Sequence, residues 1–251
     1  MTTGHAPLHE EFILPKPLIA FWLETDAHKT CEIGRLAGYH AVIFDMEHGS
    51  IEDMALDRLV PFCNALGLVT FVRVREATQA RLQVALDCGA KAVILPQIRD
   101  LDHARAASAA AKFPPRGVRG MGYSRIQDYG SVDDAWTAAQ NEATACYVMI
   151  ETEGAFNECG AIARLDCVDG LFVGPADLSL TRGRGVFSCS KADIADLHTI
   201  ADAAGAAGKL LGVAAGHPVY RAEASARHPD LLAVADDLTA LRTGFDALVR
   251  G

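Results

Sequence analysis

The chain has 251 residues, 50% of them hydrophobic and 22% charged, with a formal net charge of -9, which suits one domain with a substantial core and excludes a disordered or fibrous polypeptide. The acidic balance and the lack of a basic run argue against a nucleic-acid-binding surface, which needs clustered Lys and Arg. No apolar stretch approaches the roughly 20 residues that cross a bilayer, and the seven cysteines are scattered with no two-residue spacing, as expected of a soluble chain in a reducing cytoplasm.

Residues 1–17 carry His5, His9, Glu10 and Glu11 but no apolar segment flanked by basic residues, so they read as a loose tail and not as a secretory signal. From Leu18 onward, short β-branched-rich runs alternate with longer Ala-rich amphipathic stretches, the pattern of βα units. The first pairs are strand Leu18–Leu23 with helix Lys29–Ala37, Ala41–Asp45 with Asp53–Ala65, Thr70–Arg73 with Ala77–Asp87, and Ala92–Leu95 with Leu101–Ala111. The remaining pairs are Cys146–Glu151 with Ala155–Arg164, Gly170–Val173 with Lys191–Ala207, Lys209–Val213 with Val219–Arg227, and Leu231–Ala235 with Leu238–Val249. Gly38, Gly67, Gly89 and Gly208 stand where helices close, a position that favours a left-handed residue. Eight such units in one domain, residues 18–251, predict a closed (β/α)8 TIM barrel. An open doubly wound sheet would want a Gly-rich phosphate loop after its first strand, and Leu23, Glu24, Thr25, Asp26 is no such loop. The longest segment outside the repeat, Lys112–Tyr129, contains Pro114, Pro115, Gly117, Gly120 and Gly122 together with Arg116, Arg119 and Arg125, which we read as a functional loop at the rim of the site.

In such a barrel the chemistry sits at the C-terminal ends of the strands, so the polar residues that end the apolar runs are the candidates. The second run ends in Asp45, followed by Glu47 and His48; the third ends in Arg73, the fifth in Glu151, and the sixth leads into Gly174, Pro175, Ala176 and Asp177. Glu151 and Asp177, from neighbouring strands, are the donor type that holds Mg2+ or Mn2+. Arg73 is placed to bind an oxyanion, and His48 to act as a base near neutral pH. Singly, each has a plainer reading: Asp177 as a helix N-cap, Arg73 as an ion pair, Glu47 as a salt-bridged loop residue. Their gathering at one end of successive strands favours a site.

The strings FDMEHG (Phe44–Gly49), FVRV (Phe71–Val74), PPRGVRGMG (Pro114–Gly122), IETEGA (Ile150–Ala155) and VDGLFVGPADLS (Val168–Ser179) resemble, in this order, the HpcH/HpaI aldolase family, class II aldolases of 4-hydroxy-2-oxo acids that include enzymes of aromatic degradation. The resemblance implies that Glu151 and Asp177 bind Mg2+, Mn2+ or Co2+, which chelates the pyruvate end of the substrate, and that Arg73 stabilises the enolate. It further implies His48 as base, Asp87 as the acid that raises its basicity, Asp45 as a second acid near it, and Trp22, Met149 and Gly174, Pro175 and Ala176 as substrate-binding. A Schiff-base lysine is not expected, because Lys91 and Lys209 fall at the N-terminal ends of their strands. The family also implies homo-oligomers, trimers or hexamers, in which the C-terminal helix Leu238–Val249 is exchanged. Met149 departs from the family, where close relatives carry Gln, and so does MGYSRIQDYG after Arg119, leaving the aldehyde and the preference for pyruvate or hydroxypyruvate open. The same residues would also serve a CoA-ester lyase, an oxo-acid decarboxylase or, without catalysis, a small-acid-binding barrel.

Overall fold

Along each strand the side chains alternate between two apolar environments, and that alternation builds the barrel. In the computed structural model, which describes residues 16–251, the strands are β1 (Leu18–Leu23), β2 (Ala41–Asp45), β3 (Val69–Arg73), β4 (Ala92–Leu95), β5 (Ala145–Ile150), β6 (Gly170–Val173), β7 (Leu210–Ala214) and β8 (Leu231–Asp236). They pair in sequence order, all parallel, and β8 closes on β1, as the predicted barrel requires. Ala20, Ile43, Phe71, Ile94, Tyr147, Met149 and Phe172 form a cluster inside the ring, while Val42, Phe44, Val72, Cys146 and Val148 belong to the layer beneath the helices. Two glycines admit the largest interior rings: a Cβ at Gly170 would stand 2.4 Å from Tyr147, and one at Gly212 2.5 Å from Phe172.

The outer layer comprises α1 (His28–Leu36), α2 (Asp53–Ala65), α3 (Gln79–Asp87), α4 (Leu101–Ala109), α5 (Asp134–Ala143), α6 (Glu153–Asn157), α7 (Cys159–Ala163), α8 (Pro175–Thr181), α9 (Lys191–Ala206), α10 (Pro218–Ser225) and α11 (Asp237–Arg250). Three departures from the sequence reading concern helices. The single helix expected at 155–164 is two short ones, broken at Glu158 (φ -110°, ψ 10°), whose carboxylate accepts the Leu101 amide at 2.6 Å. Helix α5 was not expected, although Asp133 accepts the Trp136 amide and caps it. Helix α8 begins with Pro175 in its first turn, where a missing N–H costs nothing.

The tail assigned to residues 1–17 lies outside the described residues except for Lys16 and Pro17; the Lys16 ammonium pairs with Asp230 at 2.5 Å. At the other end of the chain, Asp237 is buried but Leu238 through Arg250 are all exposed, so α11 stands away from the barrel with Leu241, Phe245 and Leu248 facing solvent. The cysteines are free thiols, and all but Cys189 are buried. Among the described residues no helix is long and apolar enough to cross a membrane.

Candidate active site

The side chains that fill the barrel lead directly to the site. Trp22 stands two residues beyond Ala20, Asp45 beyond Ile43, Arg73 beyond Phe71, Glu151 beyond Met149 and Gly174 beyond Phe172. With a period of two, each continues an inward-facing file and emerges at the C-terminal mouth. A cavity of about 360 Å³ opens there, walled by Trp22, Glu24, Asp45, His48, Arg73, Met149, Glu151, Gly174, Pro175, Ala176, Asp177, Ala214 and Asp236. The residues proposed from the sequence are in this wall, apart from Asp87 and from Glu47, which stands behind it against Arg73.

Arg73 is fixed on all sides. Its Nε and Nη2 donate to the two Asp45 oxygens at 3.0 and 2.5 Å, its Nη1 lies 3.2 Å from Glu47 Oε2, and its guanidinium carbon sits 4.7 Å above the Trp22 ring. Burial works against this charge, but Asp45 and Glu47 overcome it and hold the guanidinium above its ordinary range. Asp45 also accepts the backbone amides of Glu47 and His48 at 3.0 and 3.2 Å, so it shapes the turn that carries the histidine. The His48 side chain is 60% exposed, with Nε2 3.9 Å from Glu47 Oε2. That oxygen is buried without a hydrogen bond, and burial raises the Glu47 carboxyl above the usual range although Arg73 opposes it.

Glu151 is 1% exposed. Its Oε1 accepts the Gln97 amide at 2.6 Å, and Gln97 adopts a left-handed backbone (φ 53°) that non-glycine residues seldom take. Burial nevertheless pushes its carboxyl up to about 7, with Glu47 and Asp177 adding to the effect. A carboxylate so placed calls for a cation. Glu151 and Asp177 are both oxygen donors, and a Cβ at Gly174 would come within 3.1 Å of Glu151 Oε2, so only glycine leaves the space beside that oxygen clear. The donor set fits a hard divalent ion. A second acidic group, Glu24, Asp236 and Asp237, brings carboxylate oxygens within 4.8 Å of one another at the end of β1 and β8. There Asp237 is already taken up by the Glu24 amide (3.1 Å) and the Thr25 hydroxyl (2.6 Å), and Asp236 caps α11 through the Thr239 amide (2.6 Å).

Two groups expected at the site lie away from this mouth. Asp87 ends α3, a helix that carries the chain away from the mouth; it accepts a hydrogen bond from Arg119 at 2.7 Å and lines a separate hollow of about 600 Å³ with Asp53, Asp57, Arg125 and Tyr129. Within the chain it does not act on His48. Nor do the arginines of the 112–129 segment form a rim: Arg116 is bound by Glu142, Asp166 and Asp169, Arg119 is buried on Asp87 over the Phe113 ring, and Arg125 pairs with Asp57. Lys209 lies at the opposite end, donating to the Leu165 and Val168 carbonyls, as expected. Gln97, Glu24 and Asp236 were missed; only the strand-end position of Glu24 and Asp236 could have marked them.

Residues 18–247 match the family described as HpcH/HpaI aldolase/citrate lyase. The chain belongs to this family. A curated relative, the 2-keto-3-deoxy-L-rhamnonate aldolase of Salmonella gallinarum, is 30% identical over 171 residues, which cover 66% of this chain and 62% of the relative. The chain thus matches somewhat under two thirds of that protein's length. Among solved structures, an HpcH/HpaI aldolase from Desulfitobacterium hafniense DCB-2 superposes with a TM-score of 0.88 at 25% identity, covering 98% of this chain and 96% of the other. An HpcH/HpaI aldolase/citrate lyase family protein from Burkholderia cenocepacia J2315 gives 0.86 at 27% identity, covering 97% and 100%.

Proposed function

We propose that this protein is a class II aldolase that reversibly cleaves a 4-hydroxy-2-oxo acid into pyruvate, or a related 2-oxo acid, and an aldehyde. The observation that carries the reading is the buried Glu151 carboxylate beside Asp177, facing a fixed guanidinium across the mouth. Glu151 and Asp177 would hold Mg2+, Mn2+ or Co2+, which when bound supplies Lewis acidity toward the 2-oxo group. The name of the Salmonella relative, an aldolase of a keto-deoxy sugar acid, supports the same bond type.

The chain's own residues account for the remaining steps. His48 Nε2, at the open lip, takes the proton from the C4 hydroxyl; the C3–C4 bond breaks, the aldehyde leaves, and the electron pair passes to the 2-oxo oxygen. Arg73 is oriented for that developing negative charge before the reaction starts, because Asp45, Glu47 and Trp22 already fix it, so little reorganisation is needed. Return of the proton to C3 gives the 2-oxo acid. Met149, 1% exposed beneath Glu151, presents a thioether and no amide to the acid, and Gly174, Pro175 and Ala176 wall its other side. The dispersal of Arg116, Arg119 and Arg125 onto their own carboxylates disfavours a phosphate-binding patch, and hence the CoA-ester alternative.

We also propose that the protein works as a homo-oligomer in which α11 is exchanged, since its apolar stripe of Leu238, Leu241, Phe245 and Leu248 has no cover among the described residues. The activity is tested by stripping metal and following pyruvate release from 4-hydroxy-2-oxo acids, with Mg2+, Mn2+ or Co2+ restored, beside Glu151→Ala. Metal-dependent release that the variant lacks is expected; no release from any such acid would overturn the assignment.

A further inference from the structure

Across the mouth from Glu151 and Asp177, the cavity wall is completed by Trp22 and Glu24 of the β1 end, Ala214 of β7 and Asp236 of β8. If the 2-oxo acid end of the substrate is held by the β5 and β6 residues, this is the wall that meets its other end. Its charge is one-sided. Five carboxylates line the cavity, Glu24, Asp45, Glu151, Asp177 and Asp236, against the single guanidinium of Arg73, which is already engaged by Asp45 and Glu47. A divalent ion on Glu151 and Asp177 would offset those two and leave Glu24 and Asp236 uncompensated.

Glu24 is held in place by its backbone, and Asp236 by one oxygen of its carboxylate, which caps a helix and leaves the other oxygen for a ligand. The Glu24 amide donates to Asp237 at 3.1 Å and its carbonyl accepts the Ser50 amide at 2.8 Å. The loop that brings Ser50 there passes so close that a Cβ at Gly49 would lie 2.8 Å from the Glu24 carbonyl oxygen and 2.3 Å from that of Asp45. Asp236 is fixed as the N-cap of α11. Neither the turn nor the cap uses the Glu24 carboxylate, which is left facing the cavity beside the indole of Trp22 and the methyl of Ala214.

We propose that Glu24 and Asp236 set the aldehyde specificity of this site: they accept hydrogen bonds from the hydroxyls of an uncharged polyhydroxy tail and reject a tail that ends in a carboxylate. The proposal rests on the aldolase reading. Hydroxyl donors satisfy the carboxylates, Trp22 and Ala214 cover the tail's carbons, and a second carboxylate brought among these groups would meet like charge in a partly desolvated cavity.

The test compares kcat/KM for three 4-hydroxy-2-oxo acids of equal length whose tails end in a hydroxymethyl, a carboxylate or an ammonium group, in the holoenzyme and in Glu24→Gln/Asp236→Asn. Gln keeps the shape of Glu, and Asn keeps the helix cap; thermal melting checks that the variant folds. In the natural protein the hydroxyl-tailed acid should exceed the carboxylate-tailed one by at least about tenfold, and the variant should narrow that ratio by about fivefold or more, mainly through KM for the acidic substrate. Equal rates for the two tails, or a ratio that the double substitution leaves unchanged, would overturn the proposal while leaving the aldolase reading intact. A clear preference for the ammonium tail would overturn the choice of an uncharged one. Failure to cleave all three would count against the aldolase reading itself.

Discussion

Replacing Arg73 by Met removes a charge while keeping most of the side chain's volume, and the consequence follows from what surrounds it. The Asp45 side chain is 3% exposed and that of Glu47 11%, and both depend on this guanidinium for neutralisation. Breaking a buried pair by removing one partner costs roughly 3–5 kcal/mol, because the remaining carboxylates are desolvated and unpaired. For a chain of this length that corresponds to a fall in Tm on the order of 10 °C. The penalty must depend on pH. Burial already raises the Glu47 carboxyl against the opposition of Arg73; without Arg73 it rises further above its unfolded value near 4, so the destabilisation is full above the raised value and fades as pH falls toward about 4. Melting curves of both proteins at about pH 8 and about pH 5 should therefore converge at the lower pH. Adding Asp45→Asn to the variant should recover part of the loss, a coupling that a double-mutant cycle measures directly. A Tm within about 2 °C of the parent, or an equal loss at both pH values, would refute the view that Arg73 is held by a buried carboxylate cage.

The Glu151 carboxyl, raised from 4.5 to about 7, stabilises the metal-free fold only while protonated, so that stability is lost as pH climbs from about 4.5 through 7. Glu151→Gln should remove this slope and make the metal-free protein more stable at about pH 8 by roughly 3 kcal/mol, as read by urea titration. Protons and metal compete for the same carboxylate, so calorimetric Mn2+ affinity of the unmodified protein should be about tenfold weaker at pH 6 than above pH 8. Gly174→Ala should fold but bind Mn2+ more weakly, since its Cβ crowds Glu151 Oε2 at 3.1 Å; unchanged affinity in a calorimetric titration would show that this space is not needed. Phe245→Glu, on the exposed face of α11, should yield smaller species by light scattering than the parent protein.

The barrel and most of its mouth were legible because both follow from one periodicity. Once the runs ending in Asp45, Arg73 and Glu151 are strands, the same alternation that buries Ile43, Phe71 and Met149 brings their successors to the open end. Asp87 lies away from the mouth of its own chain for a topological reason: in a parallel barrel the helix after β3 starts at the mouth, and α3 spends its nine residues, about 13 Å, moving away from it. The arginines of 112–129 misled because nearness in sequence says nothing about which carboxylates each will find across the fold: Arg119 and Arg125 reach Asp87 and Asp57 at one hollow, and Arg116 reaches Asp169 elsewhere. The Gln97 contribution comes from a backbone amide in a left-handed turn, which leaves no side-chain signal. The acidic wall of Glu24 and Asp236 needed barrel closure, since it joins the first strand to the last.

The central claim is that Glu151 and Asp177 form the metal site. The direct measurement is a crystal soaked with Mn2+ and oxalate, a mimic of the reacting oxo acid, with the ion located by anomalous scattering. The account predicts a single strong peak between the Glu151 and Asp177 carboxylates, with oxalate reaching toward Arg73. A peak at Glu24, Asp236 and Asp237 instead, or oxalate bound with no ion near Glu151, would contradict it.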